Sequence, residues 1–149
     1  MELEATTVID RPPEAVFEYM DIPENQARIS PRLSAVETIG TLDNGGKRAS
    51  YTYRLFGLNF EGEVRGIEHD PPKRIAFEMT GDIDGRIEWT FEPTEGDTRV
   101  TYAVSYDLGL PSLLAPLFAP LADRFNRREL EMTLENLAHR MRSERSFDN

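Results

Sequence analysis

At 149 residues and 17.0 kDa, with 39% apolar residues, the chain is long enough for one domain with a real core and too apolar for global disorder. Its net charge of −10 argues against a nucleic-acid partner, which needs a basic surface, and the lack of cysteine excludes disulfides, thiolate nucleophiles and cysteine-based zinc sites. Fifteen arginines stand against two lysines, Lys47 and Lys73, an acidic and lysine-poor balance that suggests a salt-adapted (halophilic) surface.

A first strand is predicted over about 2–9. In "RPPEAVFEYM", Pro12 and Pro13 suit a helix start, and Val16, Phe17 and Met20 make a short apolar stripe. A second short helix is expected around 22–28, then a weaker strand at about 33–40. Five runs of period-2 alternation follow. "RASYTYRL" puts Ala49, Tyr51, Tyr53 and Leu55 on one face, and "FEGEVRG" does the same for Phe60, Gly62, Val64 and Gly66. "IAFEM" aligns Ile75, Phe77 and Met79; "RIEWTFE" aligns Ile87, Trp89 and Phe91; "RVTYAVSY" aligns Val100, Tyr102, Val104 and Tyr106. Turn-forming "DNGG", "HDPP", "GDIDG" and "TEGD" separate these runs.

The fifteen residues between Asp107 and Asp123 carry no charge, and Pro111, Pro116 and Pro120 punctuate them. The last element, about 120–142, is helical, with Leu130, Leu134, Leu137 and Met141 on one side and Glu131, Glu135 and Arg142 on the other. Leu114, Leu117, Leu121 and Phe125 fall on nearly the opposite side of that helix, so a break or kink is predicted between 116 and 126. Residues 110–121 would then form an apolar flap at one end of the sheet. One domain over 1–142 is expected, with 143–149 a frayed tail. The opening residues show no signal-peptide pattern, and the uncharged run is shorter than the roughly 20 residues a bilayer span needs. The expectation is a cytoplasmic protein with no stable membrane insertion.

Strand, two short helices, six antiparallel strands and a long helix make an α+β domain whose sheet buries one face against that helix. In this order, "ATTVIDRPPEAVFEYMDIPEN" and "RIEWTFEPTEGDTRVTYAVSYDL" resemble the opening and closing segments of the START-like superfamily (SRPBCC, Bet v 1-like), nearest to its polyketide cyclase/dehydrase and lipid-transport subgroup. Where a Trp-x-Pro often follows the second helix of that family, this chain has "ISP" at 29–31. The resemblance implies a helix-grip fold, a seven-stranded curved antiparallel sheet wrapped on a long C-terminal helix. It also implies an apolar cavity for a small hydrophobic molecule such as a lipid, isoprenoid, quinone or polyketide.

The residues expected to line that cavity are Tyr51, Tyr53, Phe60, Phe77, Met79, Trp89, Phe91, Tyr102 and Tyr106 from the strands, and Leu117, Phe118 and Leu121 from the flap. The tyrosines and Trp89 bring polar tips into an apolar layer, and each tip needs a partner if buried. Gly62 and Gly66 lie on the same face, and either leave room for a guest or let the strand bend. No cofactor and no metal site is read: His69 and His139 are expected as solvated surface histidines, and "DIDG" as a hairpin turn. Arg124, Arg127 and Arg128 cluster on a solvated face, or Arg124 or Arg128 meets an acidic ligand head at the pocket mouth. Three readings stay open. The first is a carrier or sensor with no catalytic residue. The second is a cyclase or dehydratase using cavity tyrosines as acid or base. The third is an interaction module whose 110–121 segment makes a homodimer or docks on a membrane surface.

Overall fold

Strands that are apolar on one face only need a cover for that face. The computed structural model, which describes residues 2–55, 57–107 and 115–148, shows how the chain supplies it. Strand β1 (Glu2–Ile9) leads into helices α1 (Pro13–Met20) and α2 (Pro23–Ile29). Six strands follow: β2 (Leu33–Thr41), β3 (Lys47–Leu55), β4 (Leu58–Asp70), β5 (Arg74–Gly81), β6 (Asp84–Thr94) and β7 (Asp97–Asp107). Helix α3 (Ala115–Asp148) completes the chain. The strands form one curved antiparallel sheet in the order β1-β7-β6-β5-β4-β3-β2, the α+β helix-grip arrangement. Because β1 and β2 are its two edges, α1 and α2 must carry the chain across, α1 against β6 and β7 and α2 against β2.

Both short helices open on proline. Pro12 is extended ahead of Pro13, and Ile22 ahead of Pro23, so the rings occupy first-turn positions where an N–H would lack a partner anyway. Val16, Phe17, Tyr19 and Met20 bury one side of α1. They meet Ile9, Ile75, Phe91 and Val100 of the sheet, and Leu134, Leu137 and Met141 of α3. Burying each large side chain of this core contributes about 1.5–3 kcal/mol. A second cluster, Tyr51, Met79 and Ile83, occupies the other half of the inner face.

The expected stripe of α3 is the buried one, and Glu131, Glu135 and Arg142 are exposed. The expected break is not found: a single helix runs from Ala115 to Asp148, past the expected end at 142. Pro116 falls among the first four residues, whose N–H groups have no helical partner, so only Pro120 forfeits a bond. Of the expected flap, residues 110–114 and the side chains of Leu117, Phe118 and Leu121 lie outside the described residues.

Three further features depart from the sequence reading or decide it. A Cβ on Gly62 would lie 2.0 Å from the Thr80 carbonyl oxygen and 3.0 Å from the Tyr51 hydroxyl, so the glycine admits the neighbouring strand and leaves no empty room. His69 is not solvated. It sits near the end of β4 with its side chain 11% exposed, its Nε2 3.0 Å from Asp21 Oδ1 and its ring against Phe17. Strand β2 shifts register between Ser34 and Glu37, where Ala35 has φ +51, which breaks the two-residue period that would have marked it clearly.

Candidate functional site

A cavity of about 110 Å³ lies between the inner face of the sheet and helices α2 and α3. Four strands contribute at a two-residue period: Tyr51 and Tyr53 from β3, Phe77 and Met79 from β5, Ile87 and Trp89 from β6, and Tyr102, Val104 and Tyr106 from β7. Strand β2 adds Leu33 and Val36, three residues apart but on one face because the bulge between them absorbs the extra residue. From the helices come Gln26 and Ile29 of α2, and Glu129, Leu130 and Thr133 of α3.

Seven of the nine expected strand residues therefore line the cavity, and two do not. Phe91 belongs to the solid half of the inner face, where its ring meets Phe17 edge-on at 5.7 Å. Phe60 packs at the margin of the Tyr51–Met79–Ile83 cluster without reaching the cavity. Sequence reasoning did not single out Ile83, which follows Asp82 at a hairpin tip yet is 5% exposed, nor Glu129 and Thr133.

The wall is aromatic and ordered. Trp89 and Tyr102 face each other across β6 and β7, their rings stacked 4.0 Å apart and 6° from parallel. Set into this apolar wall are three buried polar atoms with no hydrogen-bond partner among the described residues: Tyr51 Oη, Trp89 Nε1 and Thr133 Oγ1. A buried polar atom without a partner costs about 1–3 kcal/mol.

One polar pair is complete. Tyr53 Oη donates to Glu129 Oε2 at 2.5 Å, linking β3 to α3. Glu129 is 8% exposed, and burial raises its pKa above the ordinary carboxylate value, outweighing the opposing effects of the Tyr53 bond and the nearby Arg32 charge. Burial, then the Glu129 charge, push the Tyr53 and Tyr102 phenols well above the ordinary tyrosine value. Tyr51 is pushed up to about 12, by burial first and then by Asp82 and Asp84. All three phenols are thus neutral at physiological pH, and Glu129 is the only Asp, Glu, Lys, Arg or His among the described lining residues. Arg127 and Arg128 are exposed on α3 and are not among the lining residues. Asp82 Oδ2 accepts the Glu61 N–H at 2.8 Å, a hairpin role. Among the described residues no helix is long and apolar enough to cross a membrane.

A curved sheet gripping a long helix over an apolar cavity defines a START-like, polyketide cyclase-like ligand-binding domain. The chain belongs to the polyketide cyclase/dehydrase and lipid transport family, whose pattern it matches over residues 1–142. Its fold is shared with the protein TTHA0849 from Thermus thermophilus, with TM-score 0.84 and 22% identity over 96% of this chain and 98% of that one. It is shared also with the Zhui aromatase/cyclase from a Streptomyces species, with TM-score 0.80 and 13% identity over 95% of this chain and 93% of that one. A START superfamily protein from Mycobacterium smegmatis gives TM-score 0.76 and 12% identity over 95% and 97% of the two chains. Among curated proteins none matches.

Proposed function

We propose that this protein binds a small amphipathic molecule between the sheet and α3, with the apolar body of the guest against the Trp89–Tyr102 stack. The observation that carries this reading is the set of three partnerless polar atoms, Tyr51 Oη, Trp89 Nε1 and Thr133 Oγ1, on the wall of one cavity. A plain core avoids such atoms, whereas a guest with one or two oxygen or nitrogen atoms satisfies them. A cavity of about 110 Å³ is near the scale at which an apolar site admits a single aromatic ring. Trp89 is the only tryptophan, so its fluorescence reports the cavity directly. Titration with 4-ethylphenol is expected to change that emission saturably. An unchanged emission together with an unchanged melting temperature would count against the reading.

A second reading, an enzyme of the cyclase or dehydratase type, draws on Glu129. A buried carboxyl with a raised pKa, bonded to a phenol and facing a cavity, has the form of a general acid or base. The family name and the aromatase/cyclase fold relative are compatible with it. Glu129→Gln separates the two: an enzyme loses turnover by orders of magnitude, and a carrier still takes up a wholly apolar guest.

A further inference from the structure

If the cavity takes a guest, as proposed above, its wall also says which polar end that guest carries. An ionised carboxylate only accepts hydrogen bonds, and its two oxygens offer more acceptor sites than the single bond from Tyr53 uses. No Lys, Arg or His is among the described lining residues. The tyrosine hydroxyls bring no positive charge, and the Trp89 N–H can donate but not accept. The described lining residues hold no cation to neutralise a second carboxylate, and two like charges in a water-poor space force one of them to take a proton. A hydroxyl or an ammonium meets no such penalty: either can donate to Glu129, and an ammonium gains further from the aromatic faces beside it.

We propose that Glu129 sets the specificity of this cavity, accepting a hydrogen bond from a guest whose polar end is a hydroxyl or a protonated amine and excluding a free carboxylate. Arg32 acts on Glu129 through space but is not among the described lining residues, so the group a guest meets is the Glu129 carboxyl.

Four probes with one apolar body test the assignment: ethylbenzene, 4-ethylphenol, 4-ethylbenzylammonium and 4-ethylbenzoate, titrated calorimetrically into the intact protein at pH 7.5. The phenol and the ammonium are expected to bind at least ten-fold more tightly than the benzoate. In Glu129→Gln the ammonium-over-benzoate preference should fall at least ten-fold, with ethylbenzene affinity held within about three-fold. Benzoate binding as tightly as the phenol and the ammonium overturns the assignment, as does an ammonium-over-benzoate preference that falls less than ten-fold in a folded Glu129→Gln protein. Ethylbenzene binding with no preference among heads sinks the specificity and leaves the cavity reading standing. Binding of none of the four sinks both. The wild-type series alone decides the matter if the variant does not fold.

Discussion

The Tyr53 hydroxyl donates to the buried carboxyl group of Glu129, and this bond ties β3, the strand beside the β2 edge of the sheet, to helix α3. Tyr51, two residues away on the same face, has a hydroxyl with no protein partner among the described residues. The same Tyr→Phe change should therefore have opposite consequences at the two positions. Tyr53→Phe removes a bond to a charged group and is expected to cost about 1.5–3 kcal/mol. Tyr51→Phe removes a buried group with nothing to lose and should fall within about 0.5 kcal/mol of the parent, or above it. Urea denaturation of both variants gives the comparison; equal losses would contradict it.

Glu129 also makes stability depend on pH with a defined sign. Its carboxyl is held above the ordinary value by burial, so the folded state keeps the proton better than the unfolded one. The contribution is favourable below the unfolded-state pKa and is lost as pH rises through the higher folded-state value. Glu129→Gln lacks this titration. Its melting temperature minus that of the parent should therefore become more positive as pH is raised from 4 to 8. A difference that stays flat, or falls, over that range would remove the cause assigned here.

The tyrosines make a parallel case at high pH. Tyr51, held up to about 12, keeps its proton in the fold after an unfolded tyrosine has lost it. That stabilisation is present below pH 10 and disappears as pH climbs through the folded value. Phenolate absorbance should show a component titrating near 12 that is missing from Tyr51→Phe.

Gly62 and Gly40 test why the sheet carries its glycines. A methyl on Gly62 collides with the Thr80 carbonyl, whereas one on Gly40 meets nothing within 4 Å. Gly62→Ala should cost about 1–3 kcal/mol, and Gly40→Ala should stay within about 0.5 kcal/mol of the parent. Equal tolerance of both would mean that β4 and β5 are further apart than they stand here.

Much of this was legible in the residues. Period-2 runs placed Trp89, Tyr102 and Tyr51 on the dry face, and the leucine spacing placed the buried side of α3, because both patterns answer directly to burial. Periodicity reports which face is inward but not how that face is divided. For that reason Phe91, packed on Phe17, could not be told from Trp89, which borders the cavity. Leu33 and Val36 were hidden by the bulge that brings them together. Ile83 was hidden in a turn, where a lone apolar residue has no period. Glu129 was hidden by its charge, since a carboxylate on an amphipathic helix is ordinarily assigned to solvent. Its placement four residues before Thr133, beside Leu130, is the signal that it borders the covered side. His69 was misjudged because the adjacent "DPP" reads as turn, although the strand continues through the histidine to Asp70.

The central claim is that the space beneath α3 admits a guest, and the most direct measurement is a crystal structure of the protein soaked in 4-bromophenol. The anomalous signal of bromine should appear inside the cavity beside the Trp89–Tyr102 stack, with the phenol oxygen within hydrogen-bond reach of Glu129, and Thr133→Leu should abolish it. Bromine found only on the outer surface, with Tyr51, Trp89 and Thr133 closed onto one another, would contradict the account.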